Sequence, residues 1–212
     1  MEKWIDIALK LGFSHAAPLR VETLQPRQDI REQCASNRCG AYGKNWTCPP
    51  YCGSLEECTE KLGQYRRGIL LQTVGKTEKL IDTKAYRRTE QQHRTALLAF
   101  VEQMQKEYPR ALCLGSSGCR ICDRCAWPEP CRFPEQAFAS MEAYGLFVTQ
   151  VCRDNDLAYY HGEREVESEG SCKQTPGLTN RNRIRRASWI RPQHGLKSNS
   201  HTETVHVNAA GR

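Results

Sequence analysis

The spacing of apolar residues along the chain predicts four helices. Apolar side chains recur at helical spacing in residues 2–12, 85–108 and 145–155. A further helix is expected to begin at Ser54, because the letters SLEE place Glu57 three residues after a serine N-cap and so form a capping box. We expect that helix to end near residue 65.

Two shorter apolar segments predict strands. They are HAAPLRVETL, residues 15–24, and GILLQTV, residues 68–74, the second of which is bounded by glycines and is typical of a buried strand. The helices and strands are interrupted by residues 31–53 and 113–134, which are rich in cysteine, glycine and proline and have no apolar period. The order of elements predicts a small single α+β domain with two inserted cysteine-rich, metal-binding loops.

The C-terminal part of the sequence has a different composition. From residue 168 onward Ser, Thr, Asn, Gly and Arg dominate, and we expect residues 1–167 to form the cysteine-rich domain and 168–212 to form a disordered basic tail. Residues 173–212 contain eight Lys or Arg and one acid, which equals the whole net charge of +7. A nucleic-acid partner is therefore not expected, except for weak electrostatic contact through the tail.

The composition also bears on the compartment. No apolar run approaches the roughly 20 residues needed to cross a bilayer, so no membrane association is expected. The N-terminal residues MEKWIDIALKLGF resemble an amphipathic helix and not a signal peptide, which predicts a cytoplasmic, reducing environment. In such an environment the 12 cysteines of the chain indicate metal binding or catalysis and not disulfides.

The second cysteine-rich loop has the stronger metal-binding pattern. Its spacing is C-x2-C-x2-C-x5-C, which favours an iron–sulfur cluster of the 4Fe–4S type, because sulfur atoms on one tight loop can each reach a different iron. Zinc remains an alternative, although zinc sites usually combine two separate C-x2-C pairs. The predicted cluster ligands are Cys119, Cys122, Cys125 and Cys131.

The first cysteine-rich loop is a candidate for a second metal centre. We expect Cys34, Cys39 and Cys48 to be its core ligands, with Cys52 or Cys58 as the fourth. No standard spacing matches this set, so a glycine-rich loop with structural thiols is the alternative. Cys58 falls inside the capped helix, where a cysteine usually packs as a small apolar residue.

The sequence contains no common catalytic motif. HExxH, GxSxG, the Walker loop and GxGxxG are all absent, so whether the protein is an enzyme is left open. The preferred interpretation is a protein with one or two iron–sulfur clusters that exchanges electrons with a partner oxidoreductase. The alternatives are a cluster-dependent enzyme with an open iron site and a zinc-stabilised interaction module.

Three segments taken together resemble one known family. They are CxxxxCGxYGKxWxCPP, QTVG and CxxCxxCxxxxxCRFPxxAFxSMEAYG, and with the CRDN segment at 152–155 they are similar to the cysteine-rich family called domain of unknown function 2284. The resemblance extends from residue 1 to about residue 162. It implies metal binding, in the form of iron–sulfur clusters, at the matching cysteines Cys34, Cys39, Cys48, Cys119, Cys122, Cys125 and Cys131. The charged segment HGEREVESEGSC departs from the apolar final strand that the resemblance implies, which leaves Cys172 a poor candidate ligand.

Overall fold

The computed structural model describes residues 1–76 and 82–159, and the backbone alone of residues 183–190. Short 3-10 turns connect several of the longer elements in this part of the chain. The helices are α1 (Glu2–Lys10), α2 (Gln28–Ala35), α3 (Leu55–Gly63), α4 (Thr83–Glu107) and α5 (Val148–Asp154). The strands are β1 (His15–Leu19), β2 (Gly68–Lys76), β3 (Cys113–Leu114) and β4 (Arg183–Ile190).

The four strands form one antiparallel sheet in the order β1-β2-β4-β3. Strand β2 is internal: it pairs with β1 through His15↔Gln72 and with β4 through Ile69↔Ile190. Its residues 69–73 are completely buried. A strand that is apolar at consecutive positions is expected to be covered on both faces of its sheet.

Two apolar clusters cover the two faces of β2. Ile69 and Leu71 pack with α1 and α4, whereas Leu70, which points the other way, packs with residues of α3 and α5. Within the first cluster Trp4 and Phe100 meet edge to face, with 5.6 Å between their ring centroids. The expected combination of helices with a small sheet, an α+β arrangement, is therefore present.

The capping box predicted at the start of α3 is confirmed. The backbone N–H of Glu57 donates to Ser54 Oγ at 3.1 Å, and the backbone N–H of Ser54 donates to Glu57 Oε2 at 2.8 Å. The other helices differ from their predicted bounds by a few residues at the ends, the usual uncertainty of a boundary read from a sequence. The strand expected over 15–24 ends at Leu19, and a 3-10 turn follows at Val21–Thr23.

Two elements of the structure were not expected from the sequence. Helix α2 occupies residues that were expected in part to be irregular; its helix formers outweigh a weak apolar pattern in which Ile30 alone is buried. Strand β4 lies within the segment expected to be a disordered tail, and it pairs with β2 and β3. The rest of 168–212 lies outside the described residues, and disorder there stays a prediction, as does the domain boundary at 167.

The helices of the described residues are also short or polar relative to a bilayer. None of them combines the length and the apolar character needed to span a membrane.

Gly145 provides a test of how the 3-10 turn Glu142–Tyr144 is joined to α2. Its φ is +76°, and its carbonyl oxygen accepts a hydrogen bond from the backbone N–H of Arg27 at 2.8 Å. A Cβ added there would lie 2.6 Å from Leu55 Cδ1 and 3.1 Å from the backbone of Arg27. We expect Gly145→Ala to lower the free energy of unfolding by about 2 kcal/mol or more, measured by urea denaturation.

Gly63→Ala is the matched control. Gly63 lies in α3, and a Cβ there would meet no atom within 4 Å. Alanine at this helical position should be neutral or stabilising by up to about 1 kcal/mol. Equal stabilities of the two variants would contradict the role assigned to Gly145.

Candidate metal centre

The first cysteine-rich loop begins at the end of α2, which carries Cys34 in its last turn. The chain then reverses through Gly40 and Gly43, both with positive φ, and the backbone N–H of Gly43 donates to the carbonyl of Pro49 at 2.9 Å. This closure brings the middle of the loop back beside Cys48. The loop is therefore a folded unit with its own hydrogen bonds.

The second cysteine-rich loop is docked directly on the first through the backbone of Cys119. Asn45 Nδ2 donates to the carbonyl of Cys119 at 3.3 Å, and the backbone N–H of Cys119 donates to Thr47 Oγ1 at 3.3 Å. Asn45 Oδ1 in turn accepts from the hydroxyl of Thr47 at 3.0 Å. Both polar groups of the Cys119 backbone are thus satisfied by one short turn of the first loop.

Aromatic side chains pack over the contact between the two cysteine-rich loops at the surface, which we call the loop junction. Trp46 Nε1 donates to the carbonyl of Glu129 at 2.9 Å. The ring of Tyr51 lies between those of Trp46 and Trp127, with centroid distances of 5.3 and 5.5 Å. The two loops, which the sequence presents as separate candidates, therefore form a single structural unit.

A cleft of about 890 Å³ lies between the two loops. Half of the cysteines that line it come from each loop, and Gly118 allows close approach, because a Cβ at that position would lie 3.4 Å from Cys48 Sγ. The cysteines that line this cleft are Cys34, Cys39, Cys48, Cys119, Cys122 and Cys125. We call it the thiol cleft.

The two remaining predicted ligands lie outside the thiol cleft. Cys131 joins Cys119, Cys122 and Cys125 around a small neighbouring cavity of about 20 Å³. Cys52 faces Arg31 and Cys58 instead. All eight predicted ligands are free thiols in the structure. Among the described residues, no three His, Cys, Asp or Glu side chains lie close enough together to hold one metal ion.

Burial sets the protonation of several of these thiols. It raises the pKa of Cys48 to about 12, with the neighbouring Cys39, Cys52 and Cys34 adding to the effect. Burial is also the main cause that raises the pKa of Cys34 and of Cys119. These groups are neutral thiols near neutral pH, and a bound metal would have to displace their protons because the thiolate is the ligand.

Arg31 is a site residue that sequence reasoning did not single out. Its Nη1 lies 3.4 Å from Cys52 Sγ and 3.9 Å from Cys58 Sγ, and its Nη2 donates to the carbonyl of Gly53 at 2.6 Å. A hydrogen bond from the Cys58 thiol, together with the charge of Arg31, lowers the pKa of Cys52, whereas the pKa of Cys58 is raised. No sequence signal locates Arg31, because α2 itself was not predicted.

Asn45 and Thr47 were also not identified from sequence, although their N-x-T spacing carries a recognisable signal. The backbone N–H of Thr47 donates to Asn45 Oδ1 at 3.0 Å, the local turn that an asparagine two residues earlier favours. Two aromatic residues of the first loop lie at the site: Tyr42 lines the thiol cleft, and Trp46 lies at the loop junction. Lys44, Arg120 and Arg124 also line the cleft, with Asp123 as the acid among them.

Comparison of the chain with known proteins identifies its family. Residues 17–173 match the predicted metal-binding proteins of domain of unknown function 2284, and the chain belongs to that family. It is accordingly a cysteine-rich predicted metal-binding protein. No curated protein matches the chain. No solved structure matches it either.

The docking contacts of Cys119 lead to a stability prediction. Thr47 is buried, and Thr47→Val removes the hydroxyl that accepts from the Cys119 backbone while keeping the side-chain shape. An unsatisfied backbone donor should lower the free energy of unfolding by about 1–3 kcal/mol in urea denaturation. The control is Thr59→Val on the exposed face of α3, where we expect a change within about 0.5 kcal/mol. Similar losses in both variants would argue against this docking role.

The opposite pKa shifts of Cys48 and Cys52 lead to a prediction about alkylation. In protein freed of metal by chelation, iodoacetamide at pH 7.5 should modify Cys52 well before Cys48, because the thiolate is the reactive form. The rate at Cys52 should level off below the ordinary thiol pKa of about 8.5, while the rate at Cys48 should keep rising toward pH 12. Site-resolved mass spectrometry measures both rates, and a faster reaction at Cys48 would contradict the electrostatics described here.

Proposed function

We propose that the protein binds one or two iron–sulfur clusters, of the 4Fe–4S type, and exchanges electrons with a partner oxidoreductase. The observation that carries this proposal is the thiol cleft, in which three cysteines from each loop face a common space. The family to which the chain belongs is described as one of predicted metal-binding proteins, which supports the metal-binding part of the proposal. The kind of metal group and the electron transfer are our inference.

The size of the thiol cleft favours a group of several atoms. Its volume is about 890 Å³, whereas a single water, which is comparable in size to a coordinated ion, occupies about 30 Å³ in the liquid. Cysteines on both sides of a wide space suit a cluster, because each ligand of a cluster reaches a different iron. A tetrahedral zinc site would instead need four ligands around one point.

The donor set also fits an iron–sulfur cluster. Thiolates are the usual ligands of such clusters, and all six metal-binding candidates in the cleft are cysteines. Cys119, Cys122 and Cys125 would hold one cluster with Cys131 beside them, and Cys34, Cys39 and Cys48 would contribute from the opposite wall. When bound, such a group supplies one-electron chemistry.

The surrounding residues would adjust that chemistry. Lys44, Arg120 and Arg124 are exposed at the cleft, and their positive charges favour the more negative, reduced state of whatever the thiols hold. Trp46, Tyr51 and Trp127 pack together over the junction between the loops. Both loops lie at the surface, where a partner protein has access to the cleft.

A cluster-dependent enzyme is the second candidate, and the same volume supports it. A cleft of about 890 Å³ lies within the range of small-molecule sites, about 300–1,000 Å³, and its cations suit an anionic substrate. This function requires an iron without a cysteine ligand. A change in the iron spectrum on adding a small anionic substrate would favour the enzyme over the electron carrier.

The test of the proposal is the metal content of matched cysteine variants. Cys122→Ala should lower bound iron and acid-labile sulfide in anaerobically purified protein, and should also lower its thermal stability, because metal binding and folding are linked. Cys113→Ala removes the same atom from β3, where the thiol packs against the α4 side of the sheet, and should leave iron unchanged.

The outcomes distinguish the alternatives. Equal iron in Cys122→Ala and the parent would contradict the ligand assignment. Colourless protein with stoichiometric zinc and no sulfide would contradict the cluster and support the zinc-stabilised module.

A further inference from the structure

Two cysteines beside the thiol cleft share one guanidinium. Arg31 Nη1 lies 3.4 Å from Cys52 Sγ and 3.9 Å from Cys58 Sγ, so one positive charge contacts both sulfur atoms. The Cys58 thiol also lies 3.7 Å from the carbonyl oxygen of Cys52. The two thiols are therefore neighbours, although six positions separate them in the sequence.

Arg31 is held in place by other contacts. Its Nη2 donates to the carbonyl of Gly53 at 2.6 Å, and its Nη1 donates to the carbonyl of Ala143. The Cys52 thiol lies 3.6 Å from the same carbonyl of Ala143. A cation fixed on two backbone carbonyls gives the two sulfur atoms a constant electrostatic environment.

The two thiols differ in exposure. Cys52 is partly exposed in the segment before α3, whereas Cys58 is 0% exposed inside that helix. A partly exposed thiol beside a cation has the surroundings typical of a reactive cysteine, and a second thiol next to it can resolve a mixed disulfide. The accessible sulfur attacks, and the buried sulfur resolves the intermediate.

We propose that Cys52 and Cys58 form a redox-active dithiol, with Arg31 as the residue that positions Cys52. This assignment goes beyond the proposed cluster function and does not depend on it. It also gives Cys52 a role other than that of a metal ligand. Its co-reactant is a disulfide, either of low molecular weight or on a protein.

The reaction is a balanced exchange in two steps. The Cys52 thiolate attacks one sulfur of the disulfide R–S–S–R, forms a mixed disulfide and releases R–S⁻, which takes up the proton that Cys52 has lost. Cys58, on losing its proton, then attacks the Cys52 sulfur and releases the second R–S⁻, which is protonated in turn. The dithiol is oxidised to one disulfide, and R–S–S–R is reduced to two R–SH.

Disulfide mapping of the full chain with its metal is the direct test, with glutathione disulfide as the probe. Trypsin together with a protease that cleaves after Glu57 separates Cys52 from Cys58, so a bond between them appears as a cross-link between two peptides. A bond between Cys48 and Cys52 would stay within one peptide. We expect the Cys52–Cys58 cross-link in the parent, and its absence would overturn the proposal.

Two cysteine variants separate the steps. Cys58→Ser should accumulate glutathione on Cys52, because the resolving thiol is missing, and Cys52→Ser should form neither product. Cys113→Ala, at a buried thiol away from Arg31, should react as the parent does. Glutathione on Cys48 in place of Cys52 would assign the reactive thiol elsewhere and contradict the proposal.

Arg31 variants test the positioning role. Arg31→Gln should slow formation of the mixed disulfide about tenfold, the effect of losing a charged hydrogen bond to the thiolate, and Arg31→Lys should recover part of the rate. Unfolding curves of both variants separate this effect from a loss of structure. An unchanged rate in folded Arg31→Gln would remove Arg31 from the mechanism.

Iron content separates this proposal from the cluster proposal. Cys52→Ser should retain the iron and sulfide of the parent, and a loss of one cluster in that variant would show that Cys52 is a ligand and overturn the dithiol assignment. If the parent itself contains no iron, the cluster proposal fails. The cross-link result still decides the dithiol in that case.

Discussion

Hydrogen bonds from the Asn45–Thr47 turn to the backbone of Cys119 hold the two cysteine-rich loops together, and the candidate site depends on them. Each loop contributes three cysteines to the cleft, so the docked pair lines it with six. These contacts use backbone groups of Cys119, so they leave its sulfur available for a ligand. The same docking partly buries the thiols, which raises the pKa of Cys48 and Cys119 and keeps them protonated until something displaces the proton.

Helix α2 and the turn that ends at Gly145 connect the apolar core to the cysteine-rich loops. Gly145 accepts a hydrogen bond from Arg27 at the start of α2, and Ala143 accepts one from Arg31 in the middle of that helix. Cys34 lies near the other end of α2. The adjoining segment continues into α5, which packs on the buried strand β2 together with α3. Arg31 therefore lies where the apolar core, the first loop and the start of α3 meet, and it contacts sulfur atoms that the cleft does not include.

Much of the regular structure was predictable because its pattern is local. The apolar stripe of α4, the capping box of α3 and the buried run of β2 each follow from residues that are neighbours in sequence. Helix α2 was missed because Ile30 is its single buried residue, so its apolar pattern is too weak to detect. Strand β4 was missed because its order depends on pairing with β2, more than 100 residues away. Contacts of that range leave no periodic signal in a short segment.

The sequence by itself determined which residues could bind a metal, because the cysteines and their spacing can be read from it directly. It also determined the family to which the chain belongs. The tertiary structure decided how those cysteines are grouped. It joined the two loops around one cleft, placed Cys131 at a separate small cavity and turned Cys52 toward Arg31 and Cys58. The physical reason is that ligand spacing is a property of one loop, whereas the direction of a side chain depends on the surface against which that loop packs.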